Sequence, residues 1–124
     1  MLQSWQTLWQ TGDAVANHDL RHELTVSVEL AQRAGRAIME HYRTRLPVYR
    51  KEGNEPVTLA DRIANDLIVD GLRAAFPGDG ILSEEAEDDL ERLRRERVWI
   101  IDPLDGTTEF ISGTGEFVVQ IALT

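Results

Sequence analysis

The stretch Val98-Trp99-Ile100-Ile101-Asp102-Pro103-Leu104-Asp105-Gly106-Thr107-Thr108-Glu109-Phe110 decides how this chain is read. Its first four residues are an uninterrupted apolar run, the pattern of a strand covered on both faces. A turn follows at Asp102-Pro103-Leu104-Asp105-Gly106. Carboxylates at the end of a buried strand are costly unless compensated. A turn of this shape directs Asp102, Asp105 and the intervening carbonyl of Leu104 toward one place, and such hard oxygens suit Mg²⁺ rather than zinc or copper. Gly106 permits close backbone approach, and Thr107-Thr108 would open a helical turn whose N–H groups can receive a phosphate oxygen. The spacing equally fits an ordinary Asp-Pro/Asp-Gly turn between strands, so both readings stand at this point.

Working outward, Gly80-Ile81-Leu82-Ser83 reads as a short buried strand that delivers Glu84-Glu85 to the same sheet edge. A third carboxylate there makes a multi-metal site plausible, whereas a Glu-Glu pair by itself is ordinarily solvated. Upstream, Thr58 is an N-cap with Asp61 three residues on, and Ala60, Ala64, Leu67, Gly71 and Ala75 form one helical stripe ended by Pro77-Gly78. Capping alone is a sufficient job for Asp61. A longer helix is expected from His22 to about Tyr42, its buried face marked by Leu24, Val28, Ala31, Gly35, Ile38 and Tyr42, with Pro47 ending it. Pro47–Arg50 reads as a short strand running into the loop Glu52–Pro56. The charged stretch from Glu84 to Arg97 is expected to be a solvated loop or short helix. Downstream, the apolar run Phe117–Leu123 reads as another strand covered on both faces. An apolar strand meeting the last residue, Thr124, looks cut, so the expectation is a partner or further chain covering the sheet.

The chain has 124 residues, with 13 Lys and Arg against 22 Asp and Glu, and a formal charge of −9. Such a length suits one domain, here residues 21–124 behind a lead-in of residues 1–20 in which Trp5, Leu8 and Trp9 have helical spacing and a packing role. The acid excess argues against a nucleic-acid polymer as partner, because phosphate neutralisation needs a basic surface. No apolar run reaches membrane-span length and the first twenty residues lack signal-peptide features, so a soluble, cytoplasmic protein with no membrane partner is expected. Zero cysteines exclude thiolate chemistry and cysteine zinc sites. His18, His22 and His41 stand outside any ligand spacing and are read as structural or surface residues. A phosphate-binding Gly-rich loop, a nucleophile elbow and a zinc helix are all missing.

The string Trp99–Phe110 closely resembles the signature of the inositol monophosphatase-like, lithium-sensitive, Mg²⁺-dependent phosphatases. Lys51, Pro56-Val57-Thr58-x-Ala60-Asp61, Phe76-Pro77, Leu82-Ser83-Glu84-Glu85 and Gly115-Glu116-Phe117 extend the resemblance over about residues 22–124. It implies an α+β fold, the N-terminal half of the layered α/β sandwich of the inositol monophosphatase and fructose-1,6-bisphosphatase type, with two long helices packed on an antiparallel sheet. It implies that Glu84, Asp102, Asp105 and the Leu104 carbonyl bind two or three Mg²⁺ ions, or Mn²⁺. Asp61 and Thr107 would form the hydrogen-bonded pair that orients the attacking water, and the amides of Gly106, Thr107 and Thr108 would hold the phosphate. Leu82–Glu85, Glu109-Phe110-Ile111 and Gly115–Phe117 look most like the 3'(2'),5'-bisphosphate nucleotidase branch, which takes the 3'-phosphate from adenosine 3',5'-bisphosphate. Thr108 stands where that branch often has Lys, as in the inositol branch, and Glu55 where many members have Asp or Ser. Inositol monophosphatase or another sugar phosphatase is therefore the rival enzyme. The family's second half, with a Trp-Asp motif supplying another metal carboxylate, has no counterpart here. The expectation is that these 124 residues show little activity by themselves, acting with that half, as a homodimer, or as an inactive metal-binding fragment or subunit.

Overall fold

The structure is a computed structural model that describes residues 19–42, 48–50, 56–113 and 115–124. The expectations for Trp5, Leu8, Trp9, His18, Pro47, Lys51 and Glu55 lie outside the described residues. Helix α1 runs Arg21–Glu40, and the hairpin strands β1 (Val48–Arg50) and β2 (Pro56–Thr58) pair antiparallel. Helix α2 covers Leu59–Ala75, followed by β3 (Gly80–Ser83), a 3₁₀ turn at Glu91–Arg94 and β4 (Val98–Asp105). The short helix α3 (Thr107–Ser112) and strand β5 (Val118–Leu123) complete the order.

Helix α2 starts where its residues dictate. Thr58 Oγ1 accepts from the Asp61 amide at 3.4 Å while Asp61 Oδ2 accepts from the Thr58 amide at 2.8 Å, so two first-turn donors are satisfied reciprocally. Against α2 lies α1, which presents Leu30, Ala34 and Ile38 as its buried residues. This corrects the expected stripe: Ile38 belongs to it, but Leu24 and Val28 are exposed. Helix α1 carries two overlapping apolar rows, and its neighbours select the one that meets Ala64, Ile68 and Leu72 in the core. At Gly71 the two helices approach so closely that a Cβ would overlap the Leu30 side chain. His22 packs edge-on against Phe76, and His41 Nδ1 bonds the Ala37 carbonyl at 2.9 Å, both structural uses of histidine.

The larger sheet has the order β3-β4-β5 and is mixed, which corrects the all-antiparallel expectation. Strand β3 runs parallel to β4, with Gly80 opposite Val98 and Ser83 opposite Ile101, and β5 is antiparallel to β4. A parallel pair needs a crossover. The charged segment between β3 and β4 supplies it, and the backbone of Arg92 passes so near Gly80 that a Cβ there would lie 2.8 Å from Arg92 Cα.

Among the described residues, helices cover one sheet face. Trp99 and Ile101 are buried beneath them, but Ile100 is 45% exposed, and along β5 the residues Val118, Gln120 and Ala122 are exposed while Val119, Ile121 and Leu123 are half-buried. Among the described residues only one face of β4 and β5 is covered, and the cover expected for the other face is that of a partner or further chain.

Immediately before β4, one charged residue is not a solvated bystander. The Arg97 guanidinium bonds Asp79 through Nη2 at 2.7 Å and Nε at 3.1 Å, and Glu23 on α1 through Nη1 at 2.6 Å. Trp99 Nε1 donates to the same Asp79 carboxylate at 2.9 Å, and Phe76 stacks on Trp99. Arg97 therefore ties α1, the end of α2 and β4 together.

Candidate active site

The candidate site lies at the opposite end of the sheet, where β3 and β4 terminate. Because Ser83 pairs with Ile101 in a parallel register, the next residues along, Glu84 and Asp102, emerge side by side, and the Glu84 amide continues the ladder to the Ile101 carbonyl at 3.0 Å. The expected turn at Asp102–Gly106 is corrected here. Strand β4 continues through Asp105, with Asp102 opposite Gln120 and Asp105 opposite Val118, so three steps along β4 match two along β5. One extra residue makes a β-bulge at Pro103-Leu104, where proline has no N–H to offer a ladder. The bulge buries Pro103 and Leu104 and leaves Asp102 half-buried and Asp105 exposed.

Gly106 then reverses the chain with φ 99°, and a Cβ on it would stand 2.6 Å from the Glu116 carbonyl oxygen. Helix α3 begins at Thr107, as the sequence led one to expect, and its underside is held by Phe110, which meets Tyr42 and Phe117 at ring separations of 5.7 and 5.3 Å.

Thr107 faces α2. Its hydroxyl lies 2.8 Å from Asp61 Oδ1 and 3.2 Å from the Leu104 carbonyl oxygen. Asp61 is 0% exposed, and its other oxygen accepts from the amide and hydroxyl of Thr58, the latter at 2.6 Å. One carboxylate thus caps its own helix through Oδ2 and holds Thr107 through Oδ1. A hydroxyl that gives its single proton to a buried carboxylate keeps its lone pairs to accept another, which is what orienting a water requires.

Electrostatics mark the neighbouring carboxylates. The Asp102 carboxyl is pushed up to about 6, first by burial and then by the charges of Asp105, Glu84 and Glu85, with a backbone hydrogen bond from Leu104 opposing. A cation placed among these oxygens would remove that repulsion, and the donors are the hard oxygens that Mg²⁺ and Mn²⁺ select, so the residues present fit such an ion. Among the described residues no three carboxylate or imidazole groups close up into a ready-made ion cage. Glu84, Asp102 and Asp105 share the sheet edge rather than forming a finished ligand set.

Asn65 escaped the sequence reading, and Ser83 entered it only within the Gly80–Ser83 strand and the Leu82–Glu85 motif. Asn65 and Ser83 are buried polar groups joined by a hydrogen bond from the Ser83 hydroxyl to Asn65 Oδ1. The available signal was a polar residue four places after Asp61, on a helix face whose other buried residues are Ala60, Ala64, Ile68, Val69 and Leu72.

Residues 19–124 match the model of the inositol monophosphatase family. The chain belongs to that family. It is 49% identical over 98 residues to the 3'(2'),5'-bisphosphate nucleotidase CysQ of Escherichia coli (strain K12), covering 77% of this chain and 40% of that protein. It is 42% identical over 102 residues to a histidinol-phosphatase of Chlorobaculum parvum, covering 82% of this chain and 39% of that one. The solved structure of CysQ from Bacteroides thetaiotaomicron, described as a bacterial member of the inositol monophosphatase family, superposes with a TM-score of 0.68 at 37% identity, over 84% of this chain and 38% of the other. The fold is thus the α+β sandwich of this family. The chain spans about 40% of the length of the curated relatives it matches. Among the described residues no helix is long and apolar enough to cross a membrane.

Proposed function

We propose that this chain carries the metal-binding and water-orienting part of a phosphomonoesterase whose substrate is a small nucleotide, with the 3'-phosphate of adenosine 3',5'-bisphosphate as the bond broken. The observation that carries the reading is Asp61 shared between Thr58 and Thr107, beside a sheet edge crowded with carboxylates. Glu84, Asp102, Asp105 and the Leu104 carbonyl would hold Mg²⁺ or Mn²⁺. Such ions lower the pKa of a bound water and offset charge on a phosphoryl group and its leaving alkoxide. The chain's own part is positional. Thr107, its proton given to Asp61, would offer an acceptor to the attacking water, and the amides of Gly106, Thr107 and Thr108 would receive the phosphate oxygens.

The nucleotide specificity is supported by the name of the Escherichia coli relative and by Leu82–Glu85 and Gly115–Phe117. Thr108, shared with the inositol branch, favours a sugar phosphatase as the second reading. Calorimetric titration with Mn²⁺ tests the site: the wild-type chain binds, and Asp102→Asn binds more weakly because a formal charge leaves the ligand set. Equal binding by both overturns the assignment. Tighter binding of inositol 1-phosphate than of adenosine 3',5'-bisphosphate by the Mn²⁺-loaded protein would select the second reading.

A further inference from the structure

Asn65 stands four residues beyond Asp61 on the same face of α2 and is 7% exposed, as is Ser83 at the end of β3. The Ser83 hydroxyl donates to Asn65 Oδ1 and accepts from the Glu85 amide at 3.3 Å. On either side the backbone is also fixed: the Glu84 amide bonds the Ile101 carbonyl at 3.0 Å, and the Ala86 amide bonds the Ser83 carbonyl at 3.3 Å. The Asn65 amide nitrogen in turn bonds Asp66 Oδ1 at 3.3 Å. Such a buried polar pair adds little net stability over an apolar pair of the same shape, since two paired polar groups exchange bonds with water for bonds with each other. The polar pair adds direction, because it links the helix that holds Thr107 to the turn that carries Glu84.

We propose that Asn65 and Ser83 are positioning residues that fix the Glu84–Glu85 turn beside Asp102. Helix α2 then sets both parts of the site from one face, Thr107 through Asp61 and Glu84 through Asn65 and Ser83. The inference rests on the reading of Glu84 as a metal ligand, and it adds what orients that ligand. Partners of this outlying kind are worth ~10–100-fold in metal affinity where they have been removed from other sites.

The test uses the full chain with Asn65→Leu, Ser83→Ala, the double variant, and Asn65→Asp, which keeps an acceptor oxygen for Ser83. Amide hydrogen exchange is followed across the protein, and Mn²⁺ alone is titrated by calorimetry. Exchange at Glu84, Glu85 and Ala86 should quicken in Asn65→Leu and in Ser83→Ala while the amides of α2 keep their protection, and Asn65→Asp should restore slow exchange. Mn²⁺ affinity should fall by ~10–100-fold in either single variant and no further in the double. Unchanged exchange in the turn overturns the proposal, as does loosening spread evenly over α2 and the sheet, or additive losses in the double variant. Should Asn65→Leu fail to fold, the smaller change Ser83→Ala carries the comparison. A wild-type chain that binds no Mn²⁺ overturns the metal reading alone, and the turn-confined exchange still supports the pair.

Discussion

Gly106 and Thr107 show how much two adjacent residues settle. Gly106 has a left-handed φ of 99° and faces the Glu116 carbonyl with no room for a methyl group. Gly106→Ala should therefore cost about 1–3 kcal/mol, measured by urea unfolding, and a stability equal to wild type would mean that the backbone relaxes freely there. Thr107 has a different job. Its hydroxyl sits between a buried carboxylate and the Leu104 carbonyl, and on the proposed mechanism it acts on the nucleophile rather than holding the ester. In enzyme carrying this sequence, Thr107→Ala should lower kcat by ~10²–10⁴-fold with little change in KM, and Thr107→Ser should recover most of it. A change confined to KM would assign Thr107 to substrate binding.

At the scale of the element, the Arg97 cluster joins α1, the α2 terminus and β4 at the end of the sheet remote from the site, and it predicts acid sensitivity. Burial works to raise the Asp79 pKa, but hydrogen bonds from Arg97 and Trp99 hold it below its ordinary 3.8, and the Arg97 hydrogen bond holds Glu23 below 4.5 against burial. Carboxylates depressed in the folded state contribute stability that is complete above the ordinary carboxylate range and is lost as pH falls through the folded pKa. The wild-type Tm should therefore drop on acidification below about pH 4, whereas Asp79→Asn starts lower and falls less over the same window, as circular dichroism melts would record. Parallel curves would show that Asp79 is not the group responsible. That Arg97 is a tie and not a surface charge was hidden in its run of charges, because its partners lie 18 and 74 residues away in sequence. The bulge in β4 was hidden for a related reason: an Asp-Pro pair reads as a turn until the opposing strand shows that pairing resumes at Asp105.

For the whole molecule, the uncovered sheet face and outer row of α1 put Ile100, Val118 (53% exposed), Val28 and Met39 at the surface. Apolar surface of this kind drives association, so sedimentation should show concentration-dependent self-association that Val118→Lys reduces, and a wild-type chain monomeric at every concentration would contradict this. The residues themselves determined the parts governed by near neighbours. The Thr58–Asp61 cap, the stop after Ala75, the start of α3 at Thr107 and the family signature at Trp99–Phe110 depend on spacings of a few residues, which backbone geometry converts directly into structure. Tertiary structure decided which apolar row of α1 is buried and that β3 runs parallel to β4. Local periodicity admits either row and either direction. Only the burial of one common core, and the pairing of polar groups that this burial strips of water, removes the alternatives.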